Sequence, residues 1–147
     1  MTRADVQAWL DRYIAAWATY DSTAIGELFT DDAVYRFHPS DEGFAGRNAI
    51  VEAWRDPHGD ASARDEPGTW EARYEPFTVE GDRAVAVGWS RYYTDTSKTT
   101  VVDVWDNVYL LEFGPDGRCR SFTESFVQRP ADRLVREPRT GGLGGTG

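Results

Sequence analysis

Apolar residues repeat at helical spacing up to residue 55 and at every second residue after residue 68. That switch restricts the architecture more than any other feature of the chain. Over residues 3–20, Val6, Trp9, Leu10, Tyr13, Ile14 and Trp17 follow the i, i+3, i+4, i+7 rhythm of one buried helix face. Thr2 with Asp5 supplies an N-cap and an acid in the first turn. Asp21 and Ser22 restart the chain as capping residues, and Ile25, Leu28 and Phe29 give a short second helix its apolar side. Residues 33–38 alternate as a short strand that Pro39 stops, and residues 39–46 are turn-rich. Residues 48–55 predict a third helix with Ile50, Val51 and Trp54 inward. Residues 56–68 are polar and hold no apolar anchor, so they read as a surface loop.

Beyond that loop, four long strands are predicted over residues 69–79, 83–94, 99–113 and 118–129. Gly81-Asp82 and the run from Gly114 to Gly117 are tight turns between them. Pro76 marks its strand as an edge or a bulge. Helices first and strands afterwards make an α+β chain, with the N-terminal helices packed on one face of a strongly curved antiparallel sheet. A length of 147 residues fits one domain, expected over residues 1–130, with a flexible tail over residues 131–147 that ends in GGLGGTG.

Sixteen basic residues against 25 acidic ones give a net charge of −9, which argues against nucleic acid and against an anionic membrane surface as partners. The lone Cys119 cannot form an internal disulfide, and the N-terminal residues are too charged for a signal peptide. A cytoplasmic protein is expected. What composition leaves to explain is six Trp, seven Tyr and seven Phe.

Alternation sorts the strand residues into two faces. Val85, Val87, Trp89, Arg91 and Tyr93 share one face of their strand, and Ala86, Gly88, Ser90 and Tyr92 the other. Asp103, Trp105, Asn107, Tyr109, Leu111 and Phe113 oppose Val102, Val104, Asp106, Val108, Leu110 and Glu112. In the last strand Phe122, Glu124, Phe126 and Gln128 share a face. Pattern alone does not say which face meets the helices. An acid flanked by Phe122 and Phe126 is unexpected on a core face, because burial without a partner costs several kcal/mol or forces the group neutral.

Several segments carry a family resemblance: Arg12 to Trp17 in the first helix, Leu28-Phe29-Thr30-Asp31-Asp32-Ala33-Val34, Phe44-Ala45-Gly46-Arg47-Asn48-Ala49-Ile50, and Phe113 to Arg118 leading into Phe122 to Phe126. With these the chain resembles the SnoaL-like group of the nuclear transport factor 2-like superfamily over about residues 3–129. The resemblance implies a cone-shaped α+β fold with an interior pocket and, commonly, a homodimer formed through the outer surface of the sheet. It does not imply one reaction, since such folds host isomerases, cyclases, epoxide hydrolases, dehydratases and binding proteins. Carried over by position, Tyr13 matches the oxyanion-donating tyrosine of ketosteroid isomerases, His38 lies nearest their aspartate base, and Tyr109 stands for their protonated aspartate. Glu124 falls where limonene-epoxide-hydrolase-like members place a catalytic aspartate, and Arg91 falls near their pocket arginine. Tyr93 stands where their companion acid would be. Neither set is complete in this chain.

The candidate catalytic residues are therefore His38 as base, Tyr13 as oxyanion donor, and Arg91 with Glu124 as an orienting pair. Each has a plainer reading beside it. Tyr13 fits an ordinary core stripe, His38 a strand-end histidine bonded to backbone, and Arg91–Glu124 a self-satisfying buried pair. Trp17, Trp89, Trp105, Asn107, Tyr109, Phe122 and Phe126 are expected to line the pocket; the aromatics otherwise simply fill a core. Tyr92 reads as an outward aromatic suited to a dimer face. Asp41-Glu42 near His38 do not make a metal site, and no metal or other cofactor is expected. The expected ligand is a small apolar or aromatic organic molecule. Cofactor-independent proton transfer on it, as in isomerisation, cyclisation or dehydration, stands beside two alternatives. These are a non-catalytic carrier or sensor and a protein-interaction domain that uses the outer sheet.

Overall fold

The computed structural model describes residues 1–58 and 65–134. Three helices precede the four long strands: α1 (Arg3–Thr19), α2 (Ser22–Glu27) and, after two shorter strands, α3 (Arg47–Arg55). The strands are β1 (Phe29–Arg36), β2 (Phe44–Ala45), β3 (Trp70–Glu80), β4 (Arg83–Tyr93), β5 (Val101–Phe113) and β6 (Cys119–Gln128).

The helix boundaries follow local chemistry. Thr2 and Asp5 form a reciprocal capping box at the start of α1. Asp21 caps α2 by accepting from the Ala24 backbone N–H. Tyr20 ends α1 in the left-handed region, with φ of 52°, a conformation that usually falls to glycine. The second helix stops two residues earlier than its apolar pattern suggests, because Phe29 opens β1. The buried face of α1 is Val6, Trp9, Leu10, Tyr13 and Ala16, and the Trp9 indole donates to the Leu28 carbonyl at 2.9 Å.

The strand order is β2-β1-β6-β5-β4-β3. Neighbours β3 to β6 form the expected antiparallel meander. The sheet is nonetheless mixed, because β1 runs parallel to β6, with Tyr35 beside Phe122. Pro76 meets both of its expectations: β3 is an edge strand, and the register shifts between Pro76 and Thr78. Beyond residue 130 the chain makes a short 3-10 turn, Ala131–Arg133; the rest of the expected tail, and residues 59–64 of the expected loop, lie outside the described residues.

Volume decides which face of the sheet is inside. On β4 the inward residues before Tyr92 are the small ones: Ala84 and Ala86 are buried, as is Ser90. Each stands across from a larger β5 residue, Ala84 from Leu111, Ala86 from Tyr109, Gly88 from Asn107 and Ser90 from Trp105. Gly88 is required here. A Cβ at that position would run into the Arg73 carbonyl and the Tyr74 ring, and would stand 2.8 Å from the Tyr74 Cα. Close packing leaves no slack for such an atom. The space over the small residues is filled by rings. Tyr35 stacks on Phe122 at 4.3 Å, Tyr13 on the same ring at 5.5 Å, and Tyr109 lies 4.7 Å from Tyr74.

Candidate functional site

Along the inner face of β6 the residues change from Phe122, fully buried, through Glu124, half-buried, to Phe126, exposed. The core therefore gives way to a cavity along that strand. The cavity measures about 710 Å³, and its wall is mostly aromatic. From the helices and the cap of α1 come Tyr13, Trp17, Trp54 and Tyr20; from the sheet come Tyr35, Tyr74, Tyr92, Trp105 and Tyr109. Polar wall is sparse: Ser90, Asn107, Asp65, Asp103, Glu124 and, at the exposed mouth, His38.

Glu124 is the unusual member. It stands across from Tyr109. No described residue donates a hydrogen bond to it or supplies a cation, and burial raises its carboxyl to about 8. Four phenols stand near enough to feel its charge. Burial first, and neighbouring charge second with Glu124 among the contributors, hold Tyr13, Tyr35, Tyr74 and Tyr109 above the ordinary tyrosine value. They therefore stay neutral hydrogen-bond donors. The Tyr13 and Tyr35 hydroxyls are 3.1 Å apart. Asn107 Nδ2 donates to the Tyr74 hydroxyl oxygen at 3.2 Å.

His38 is held differently. The Ser40 backbone N–H donates to its Nδ1 at 3.2 Å, and the Ser40 hydroxyl lies 2.8 Å from the same atom. A backbone N–H can only donate, so in the neutral ring the proton sits on Nε2.

Asp65 closes one side of the cavity. Its carboxylate accepts from the Trp17 indole at 2.9 Å and from the Tyr92 hydroxyl at 3.5 Å, and its backbone N–H donates to the Tyr20 hydroxyl at 3.1 Å. Burial raises its carboxyl to about 6, against the lowering effect of those two donors. Tyr20, the left-handed residue that ends α1, is thus tied to the Asp65 backbone.

Residues 10–122 match the family model of the SnoaL-like domain. The chain belongs to the SnoaL-like family. Among solved structures, it is similar to a ketosteroid isomerase-like protein from Erwinia carotovora atroseptica, with a TM-score of 0.60 and 17% identity over 87% of this chain and 97% of that one. An NTF-2-like protein of unknown function from Burkholderia xenovorans aligns with a TM-score of 0.57 and 20% identity, over 94% and 97% of the two chains. A putative polyketide cyclase from Sinorhizobium meliloti aligns with a TM-score of 0.56 and 21% identity, over 85% and 100%. These likenesses establish the shared fold. No curated protein matches the sequence.

In this SnoaL-like domain the cavity brings together Tyr13, Trp17, His38, Trp105, Asn107, Tyr109, Glu124 and Phe126 of the residues expected from sequence. Three others lie elsewhere. Phe122 is fully buried beneath the cavity, in the core. Arg91 and Trp89 are on the opposite face of the sheet, with the Arg91 guanidinium 4.7 Å above the Trp89 ring. The expected Arg91–Glu124 pair does not form. Arg91 stands across from Val104 and Glu124 across from Tyr109, five residues further along β5, so about 16 Å and the thickness of the sheet separate them. The same parity turns Tyr92 inward, where it lines the cavity rather than a dimer face.

Tyr20, Tyr35, Trp54, Asp65, Tyr74 and Ser90 line the cavity and were not expected there. Trp54 and Tyr74 could have been found from the inward parity of their own elements. Asp65 carried no local signal. Among the described residues no group of three or more His, Cys, Asp and Glu is arranged to hold a metal ion, and no helix is long and apolar enough to cross a membrane.

Proposed function

We propose that the cavity binds a small organic carbonyl compound and that Glu124 carries a proton on and off it, without a cofactor. The class of reaction is isomerisation, aldol cyclisation or dehydration. The observation that carries this reading is Glu124 itself, a carboxyl inside an aromatic cavity with no donor and no cation among the described residues and a pKa raised to about 8. Such a group exchanges protons near neutral pH in either direction. In its ionised form it takes a proton from the carbon next to the carbonyl. The electron pair moves to the carbonyl oxygen, and a neutral tyrosine hydroxyl, from Tyr74 or the Tyr13–Tyr35 pair, donates to the developing charge. Glu124 then returns the proton at carbon or to a leaving hydroxyl. His38 is left out of the proton transfer, because the Ser40 N–H occupies its basic nitrogen.

Exchange of the α-protons of 2-tetralone in deuterated buffer, followed by NMR, tests the assignment. The protein should accelerate exchange over buffer, Glu124→Gln should abolish the acceleration, and His38→Ala should retain it. Undiminished exchange in Glu124→Gln overturns the role of Glu124.

A homodimer through the outer face of the sheet is proposed with it. Its support is the apolar surface of that face, where Val108, Leu110 and Val127 are 41%, 52% and 68% exposed.

A further inference from the structure

The charges on the cavity wall carry information about the ligand. Asp65, Asp103 and Glu124 face the cavity, and among the described residues no Lys or Arg does. An anionic ligand would enter against three carboxyl groups with no Lys or Arg to pair with, His38 standing only at the exposed mouth. Two of the three are already accounted for. Asp103 accepts from Gln128 Nε2 at 2.7 Å, and Glu124, with a carboxyl raised to about 8, is mostly protonated at neutral pH.

Asp65 is different. Its two side-chain donors, the Trp17 indole and the Tyr92 phenol, both reach Oδ2, and no described residue donates to Oδ1. Both donors are neutral, so the ionised carboxylate keeps its full charge where burial has removed part of its water. A partly desolvated carboxylate of this kind gains most from a cation. The rings around it suit the same guest. Trp17 stacks on Trp70 at 3.8 Å, Tyr92 stands 6.5 Å from Trp17, and Tyr20 reaches the Asp65 backbone. Electron-rich ring faces beside a carboxylate recognise organic ammonium groups.

We propose that the ligand of this cavity carries a protonated amine or quaternary ammonium group, seated on Asp65 against the rings of Trp17 and Tyr92. The inference rests on the cavity being the ligand site, and adds the charge of the substrate to that reading. The cationic end lies at Asp65 and the reacting end at Glu124, which makes the substrate class an amino-carbonyl compound.

Three probes of similar shape separate the charges: 2-phenylethylamine, 2-phenylethanol and 3-phenylpropionate. Binding to the full chain is followed by quenching of tryptophan fluorescence at neutral pH, since Trp17, Trp54 and Trp105 line the cavity. The amine should bind about tenfold more tightly than the alcohol, and the propionate most weakly. In Asp65→Asn the preference for the amine should fall to about two- to threefold, since the ion pair is lost and the ring contacts remain. Equal binding of amine and alcohol by the unaltered protein, no saturable binding of the amine, or an undiminished gap in Asp65→Asn each overturns the proposal. Charge preference is an equilibrium measurement with no chemistry in it, and exchange on neutral 2-tetralone is a rate with no ammonium in it. Either reading therefore fails without the other.

Discussion

The hydroxyls of Tyr13 and Tyr35 meet at 3.1 Å across the floor of the cavity, joining helix α1 to strand β1. Both side chains are almost fully buried, so neither hydroxyl has ready access to bulk water. Tyr13→Phe strands the Tyr35 hydroxyl and should cost about 1–2 kcal/mol in urea unfolding. The double variant with Tyr35→Phe should cost less than the sum of the two single changes, because the second change removes the group the first left stranded. Full additivity would mean that the two hydroxyls do not depend on each other.

Glu124 gives stability a pH dependence of defined sign. Its carboxyl is raised from 4.5 to about 8 on folding. Between those values the folded protein holds a proton that the unfolded chain has released. Stability from this group is therefore present at the acid end and lost as pH rises through the window. Glu124→Gln cannot titrate. Its unfolding free energy should exceed that of the unaltered protein at the alkaline end by on the order of 2 kcal/mol, with the difference shrinking toward acid. Parallel curves across the window would show that Glu124 ionises freely.

Gly88→Ala places a methyl group against the Arg73 carbonyl and the backbone of Tyr74, neither of which is the free end of a flexible side chain. The paired strands must separate or Tyr74 must leave its position. Thermal and urea unfolding should show a loss of about 2–4 kcal/mol. If the variant folds, 2-tetralone exchange should fall with it, since Tyr74 is one wall of the cavity. A loss below about 0.5 kcal/mol would contradict the close approach of β3 and β4 at this point.

The outer face of the sheet makes a separate prediction. Leu110 and Val108 project from β5 away from the core and remain exposed. Val108→Lys with Leu110→Lys should convert a dimer to monomers in sedimentation experiments and leave the unfolding transition of each protomer in place. A species that is already monomeric before substitution would remove that face as an interface.

The helices and the turns were legible because their signals are local. Thr2 with Asp5, and Asp21 at the second start, act within one turn of themselves. The parallel pairing of β1 with β6 was not legible, since alternation says which way a residue points but not which strand it will stand beside. The same limit misplaced Arg91 and Trp89. On β4 the more apolar face, Val85, Val87 and Trp89, is the outer one, and the inner face is small because rings from β3 and β5 occupy the space above it. Hydrophobicity favoured one face, and volume selected the other.

Glu124 could be singled out from sequence because an acid between two phenylalanines breaks an apolar face. Asp65 could not. Its partners Trp17 and Tyr20 are 48 and 45 residues away along the chain, so its neighbours in sequence describe only a polar loop. Tertiary contact alone turns that loop acid into a wall of the cavity.

The placement of β1 has a consequence for the order of assembly. Among the described strands β1 comes first in chain order, and its pairing partners are the two-residue β2 and β6, the last of the six. While β6 is unmade, the aromatic surfaces of α1, β1 and α3 have no completed sheet to close against. Contacts this distant in sequence slow folding and keep apolar surface exposed meanwhile. The Tyr35–Phe122 stack joins these two strands directly. The pairing that completes the cavity floor is thus also the contact that joins the two ends of the described fold.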